Sequence, residues 1–189
     1  MQEPISSRAL EAPAAIVVMG VSGSGKTVIG TALAAALGVH FVEGDHFHPP
    51  ENISRMSAGL PLRDQDRWGW LDAIAGRIAD AQRRGEGLVV ACSALKRVYR
   101  DRLCKMGGRV RFVFLDIGRD VAAARVAMRR DHFMPASLTD SQFADLEPPA
   151  ADEEAIRLDA SQEVSDVVAA ARALLADRSH MPTAAAPKV

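Results

Sequence analysis

Between a short apolar run and a helical pattern the chain carries Gly20-Val21-Ser22-Gly23-Ser24-Gly25-Lys26-Thr27. This segment fits G-x4-G-K-[ST], a loop whose glycines let backbone N–H groups turn inward where a side chain would obstruct a phosphate oxygen. The motif carries weight only when a buried strand precedes it and a helix follows. Both flanks qualify: Ala14–Met19 reads as a strand and Lys26–Leu37 as a helix. A helix that starts near Lys26 adds its positive end to the loop. The Lys26 ammonium is then placed for β and γ phosphates, and the Thr27 hydroxyl for Mg²⁺. Nucleotide binding follows from this; kinase chemistry does not, because GTPases and motor ATPases carry the same loop.

Four more runs read as strands: Val39–Glu43, Gly87–Cys92, Val110–Asp116 and Ala155–Leu158. Helical patterns separate them at Asp64–Arg84, Lys96–Met106, Arg119–Arg130 and Glu163–Ala176, with Asp64 expected as an N-cap. Gly69 weakens the longest of these helices by about 1 kcal/mol relative to alanine. Thr139 followed by Gln142 reads as a capping box that opens a short helix to Leu146. The alternation predicts an α/β P-loop NTPase fold, a three-layer sandwich around a five-stranded parallel sheet. Residues 14–176 form the expected domain, with flexible tails at 1–13 and 177–189.

The 23 basic and 24 acidic residues leave a formal charge of −1, which argues against a nucleic-acid partner. Cys92 and Cys104 have no metal-ligand or redox spacing, as fits a reducing compartment. The longest apolar stretch, around Pro13 to Val21, is far short of the ~20 residues of a membrane span, and no signal peptide is visible. A soluble, cytoplasmic protein without a membrane partner is expected.

Acceptor chemistry belongs at the carboxyl ends of the strands. There the second strand runs into Glu43-Gly44-Asp45-His46-Phe47-His48-Pro49. Asp45 suits a base for an attacking hydroxyl or a water-mediated metal contact, and equally a turn residue capping a helix near Pro49. The third strand ends at Cys92-Ser93, where many P-loop proteins place a Mg²⁺-binding Asp, so metal support must come partly from elsewhere. Lys96 and Arg100 share a helix face and suit an anionic substrate, or else form part of a solvated basic face. Arg125, Arg129 and Arg130 precede His132-Phe133-Met134-Pro135; they suit closure over a transferring phosphate, or simply complement the helix dipole.

Together these segments resemble the gluconokinase family of P-loop small-molecule kinases, a relative of shikimate kinase. The likeness rests on the Met19–Thr27 loop, Gly44–Pro49, Gly59–Arg67 with Trp70-Leu71, Cys92–Lys96 with Tyr99-Arg100-Asp101, and His132-Phe133-Met134 followed by Ser141-Gln142-Phe143 and Leu146-Glu147-Pro148. It covers nearly everything from Ile16 to about Val168. Gly69 stands where the family often has proline, and Ser161-Gln162-Glu163 lacks a proline common in that region.

The resemblance implies an enzyme that moves the γ-phosphoryl of ATP to the 6-hydroxyl of D-gluconate, with Mg²⁺ as cofactor. It implies nucleoside-kinase-like architecture, with an acceptor-binding insertion near 49–66 and a lid near 129–138. Gly20, Val21, Ser22, Gly23, Ser24, Gly25, Lys26 and Thr27 would hold the ATP phosphates, with Thr27 as metal ligand. Lys26, Asp45 and Arg129 would be catalytic. Asp45, His48, Arg67, Lys96, Arg100 and His132 would hold the sugar acid, and a homodimer is compatible with the family. Two rival readings remain: a kinase for another hydroxy acid such as shikimate, and a regulatory nucleotide-binding module without turnover.

Overall fold

In a computed structural model of the chain, residues 14–128, 137–153 and 155–177 are described. The expected tails therefore lie outside the described residues apart from Asp177, as does most of the expected lid.

Five strands, β1 (Ala15–Met19), β2 (His40–Glu43), β3 (Leu88–Ala91), β4 (Val110–Asp116) and β5 (Ala155–Asp159), form one sheet in the order β2-β3-β1-β4-β5. Every pairing is parallel, with Val17 opposite both Val90 and Phe112. The helices are α1 (Lys26–Leu37), α2 (Pro50–Ser57), α3 (Asp64–Arg83), α4 (Arg97–Gly107), α5 (Arg119–Ala127), α6 (Ser137–Asp145) and α7 (Val164–Ala176). This is the P-loop NTPase α/β architecture.

Strand alternation sends successive side chains to opposite layers. Ala15, Val17 and Met19 of β1 pack with Trp70, Leu71, Ile74 and Ile78 of α3 and with Tyr99 and Leu103 of α4. Ile16 and Val18 face Ile29 and Leu33 of α1 and Val167, Val168 and Ala171 of α7. Because both faces are covered, the central strands are apolar throughout. A small third cluster of Met56, Leu62 and Leu138 ties α2 and the α2–α3 connection to α6.

The cap of α3 differs from expectation. Asp64 is the first helical residue and Arg63 the N-cap, because Asp66 accepts a 2.9 Å bond from the Arg63 N–H. Gly69 does not interrupt α3, and a Cβ there would meet nothing within 4 Å. Thr139 likewise does not open α6. The helix begins at Ser137, and the Gln142 side chain reaches the phosphate loop instead of turning back on its own helix.

Candidate active site

The loop between β1 and α1 takes its shape from positive φ at Gly20 (144°), Gly23 (83°) and Gly25 (93°). At Gly23 the requirement is also steric, since a Cβ there would lie 2.4 Å from the Ala122 carbonyl oxygen of α5. Lys26 opens α1, and its Nζ donates to the Val21 carbonyl at 2.9 Å. The N–H on the other side of the same peptide unit, that of Ser22, donates to Gln142 Oε1 at 2.6 Å. Gly20 N–H meets the Ser93 carbonyl at the end of β3, which fixes the loop against the neighbouring strand.

Thr27 Oγ1 donates to Glu43 Oε2 at 2.7 Å. Glu43 closes β2, and its other oxygen faces the Asp45 N–H at 3.5 Å. From the sequence alone Glu43 is only a strand end. The signal that marks it is a carboxylate at the C-terminal end of a strand on the phosphate side of the sheet. Cys92, which with Ser93 stands where many P-loop proteins have a metal-binding Asp, is fully buried, and burial pushes its thiol up to about 12. A neutral thiol offers a hard cation little. The carboxylate in contact with the Thr27 hydroxyl is that of Glu43, whose second oxygen faces the Asp45 N–H. Among the described residues no three His, Cys, Asp or Glu side chains gather as a closed metal cage.

Asp45 lies in a 3-10 turn, Gly44–Phe47, and does not cap α2, whose N-cap is Pro49. The turn is pressed on β3 so closely that a Cβ on Gly44 would lie 2.2 Å from the Ala91 carbonyl oxygen. Trp70 Nε1 donates to the Gly44 carbonyl at 2.7 Å and holds the turn from the α3 side. His48 stacks on Trp70, with ring centroids 4.2 Å apart and planes 13° from parallel. Burial, reinforced by the positive charge of Arg67, lowers the His48 pKa to about 4. His48 is therefore a neutral ring at physiological pH, suited to a hydroxyl and unsuited to pairing with a carboxylate. One cavity is lined by Lys26, Asp45, His48, Arg67, Trp70, Ser93 and Gln142, with Met56, Leu62 and Leu138 among its apolar residues.

A cavity of this form at a phosphate loop fits several small-molecule kinases, and comparison with known proteins decides among them. Residues 16–149 match the family profile described as AAA domain. Gluconokinase of Gluconobacter oxydans is 48% identical over 146 residues, covering 77% of this chain and 82% of that one. Thermosensitive gluconokinase of Escherichia coli is 43% identical over 166 residues, covering 87% and 89%. The crystal structure of a gluconokinase from Sinorhizobium meliloti superposes with a TM-score of 0.78 at 48% identity, covering 88% and 93%. The chain belongs to the gluconokinase family. As a kinase family, the gluconokinases use ATP as phosphoryl donor.

In this member of the gluconokinase family, the cations expected to bind substrate divide into three groups. Arg67 is in the cavity wall, where NH1 donates to Tyr99 OH at 2.9 Å and NH2 lies 3.5 Å from Asp145. Lys96 stands behind that wall, 2.7 Å from Asp64 and 3.4 Å from Asp145. The Asp64 contact holds the Lys96 pKa above its ordinary range; Asp64 is lowered in turn by Lys96 and by the Tyr99 hydroxyl. Two cations therefore face two carboxylates: Lys96 holds Asp64 closely, while Arg67 lies 3.7 Å from Asp64 and 3.5 Å from Asp145.

Arg100 is a correction. Its side chain is 1% exposed and is absorbed by Glu153 and by the carbonyls of Ala94, Leu95 and Glu147, all near 3.0 Å. It borders a second cleft along α4 with Asp152 and Glu153, away from Lys26 and Asp45. Helical spacing puts it one turn from Lys96, but Glu147 and Glu153 together with the Ala94 and Leu95 carbonyls take up its guanidinium. Arg125 donates to the Ala160 carbonyl at 2.8 Å, tying the end of α5 to the turn after β5. Arg129 and His132 lie outside the described residues.

Proposed function

We propose that this chain transfers the γ-phosphoryl group of ATP to the 6-hydroxyl of D-gluconate, giving 6-phospho-D-gluconate. The observation that carries the proposal is the single cavity shared by Lys26 of the donor loop, Asp45 of the acceptor turn and Arg67 of α3, in a chain of the gluconokinase family. Donor and acceptor groups meet in one space, as an in-line transfer requires.

Lys26 leaves the Val21 carbonyl for the β and γ phosphates. Thr27 and Glu43 are the oxygen donors proposed to hold Mg²⁺, with Asp45 behind them. Bound there, Mg²⁺ would neutralise charge on the phosphate oxygens. The Asp45 carboxylate takes the proton of the 6-hydroxyl as its oxygen bonds to the γ-phosphorus and the bond to the bridging oxygen of ADP breaks.

Arg67 is the cation proposed for the gluconate carboxylate, with Lys96 in support. The incoming carboxylate displaces Asp145 from Arg67 and Lys96, while Asp64 stays on Lys96 and the Tyr99 hydroxyl, its two short contacts. Neutral His48 and Ser93 serve hydroxyls. The proposed setting is the cytoplasm, with no membrane or nucleic-acid partner; no described helix is long and apolar enough to cross a membrane.

Phosphorus NMR of the product tests the reaction. Coupling of the new phosphorus to two methylene protons is expected for a 6-phosphate, and coupling to a single methine proton would place the transfer elsewhere.

A further inference from the structure

The peptide unit joining Val21 to Ser22 is held from both sides. Its carbonyl accepts from Lys26 Nζ at 2.9 Å and its N–H donates to Gln142 Oε1 at 2.6 Å. The second partner comes from α6, 120 residues away in sequence. Gln142 lines the same cavity as Lys26 and Asp45, so the Ser22 N–H is bonded to a side chain of the wall that Lys26 and Asp45 also form. A carbonyl-type oxygen on an N–H of a phosphate loop occupies the position of a phosphate oxygen. Lys26 is arranged in the same way, with the Val21 carbonyl as its acceptor. Each carbonyl or N–H that is hydrogen-bonded in this manner polarises the other end of the peptide, so the two contacts reinforce one another.

We propose that Gln142 is a positioning residue that orients the Val21–Ser22 peptide before ATP binds and yields the Ser22 N–H to the terminal phosphate when ATP arrives. The inference rests on the reading of this loop as an ATP site and is independent of which sugar acid is the acceptor. Asp145 lies three residues along α6 from Gln142 and meets Arg67 and Lys96. The same helix thus touches the donor loop through one side chain and the acceptor cations through another. The terminal phosphate releases the first contact and the acceptor carboxylate releases the second. ADP, lacking the terminal phosphate, releases neither.

The exchange predicts opposite effects from two substitutions. Gln142→Ala removes the competitor for the Ser22 N–H, so affinity for a non-hydrolysable ATP analogue rises about three- to ten-fold relative to ADP, the range of one net hydrogen bond. The same variant loses about ten-fold in kcat, because the peptide is no longer held in register. Gln142→Glu keeps an acceptor for the N–H but sets a negative charge against the terminal phosphate. The analogue then weakens at least about ten-fold relative to ADP.

Calorimetric titration of wild type and both variants with the Mg²⁺ complexes of ADP and of the analogue, without acceptor, measures these ratios. Circular dichroism verifies the fold, and the alanine variant carries the test alone if the glutamate variant does not fold. Ratios that move in opposite directions bear out the proposal. Ratios unchanged from wild type, or moving together, overturn it. Wild type that binds neither nucleotide overturns the ATP reading of the loop itself.

Discussion

The Thr27 hydroxyl donates a 2.7 Å hydrogen bond to the Glu43 carboxylate, joining the first turn of α1 to the end of β2. In P-loop kinase chemistry that hydroxyl is a cation ligand, so Glu43 orients it and adds charge beside it. Glu43→Gln preserves the shape and the hydrogen-bonding capacity but removes the charge. The expected outcome is a rise of about 10- to 100-fold in the Mg²⁺ concentration needed for half-maximal turnover, with an unchanged circular dichroism spectrum. A Mg²⁺ titration of activity measures it, and an unaltered Mg²⁺ requirement would remove Glu43 from the metal site.

The His48–Trp70 stack predicts a pH dependence of stability. The His48 pKa falls from 6.5 to about 4 on folding, so between these values the unfolded chain binds a proton that the folded chain refuses. Stability is therefore greatest above pH 6.5 and declines as pH falls toward 4, by about 3 kcal/mol in total. Urea denaturation at half-unit pH steps follows this decline. In His48→Gln the slope over the same window should shrink by close to one proton, and a slope identical to wild type would contradict the assignment.

Arg100 and Glu153 bear on stability and leave acceptor recognition to other groups. Both side chains are buried, at 1% and 7% exposure. Burial works to raise the Glu153 pKa, but hydrogen bonds from Arg100 and the Ala150 N–H keep it below the ordinary value. Arg100→Ala leaves that carboxylate buried without its partner, at a cost of about 3–5 kcal/mol. The KM for gluconate in the folded fraction is expected to stay within about two-fold of wild type. A large rise in KM without loss of stability would return Arg100 to the substrate site.

Asp45 carries the proton-transfer step of the proposed mechanism. Asp45→Asn keeps the turn and its place in the cavity wall but cannot take a proton. A fall in kcat of at least about 100-fold is expected, with the dissociation constant for ATP within about three-fold of wild type. Single-turnover kinetics together with nucleotide titration separate the two quantities, and full turnover by the variant would exclude both proton acceptance and positioning.

The sheet was legible because its signals are local. Each of the five strands is an apolar run bounded by helical patterns, and the bounds of β4 and α1 match the expected ones residue for residue. The phosphate loop was legible because Gly20, Gly23 and Gly25 are demanded by backbone shape. What escaped the sequence were contacts between segments distant along the chain. Gln142 has a local partner in the pattern T-x-x-Q, yet its side chain reaches Ser22. Asp64 looks like a cap, yet its carboxylate accepts from Lys96 and Tyr99, which leaves Asp66 to close the helix start. Arg100 lies one turn from Lys96, and only the fold reveals that Glu153 covers it. In each case a charged or amide side chain had a plausible partner nearby and a better one supplied by the tertiary structure.

The most direct test of the central claim is acceptor-dependent ADP release from ATP and Mg²⁺, measured side by side with gluconate, shikimate and buffer alone. Turnover that requires gluconate and is absent with shikimate is the predicted result. Turnover with shikimate and none with gluconate, or ATP binding without turnover on any sugar acid, would contradict it.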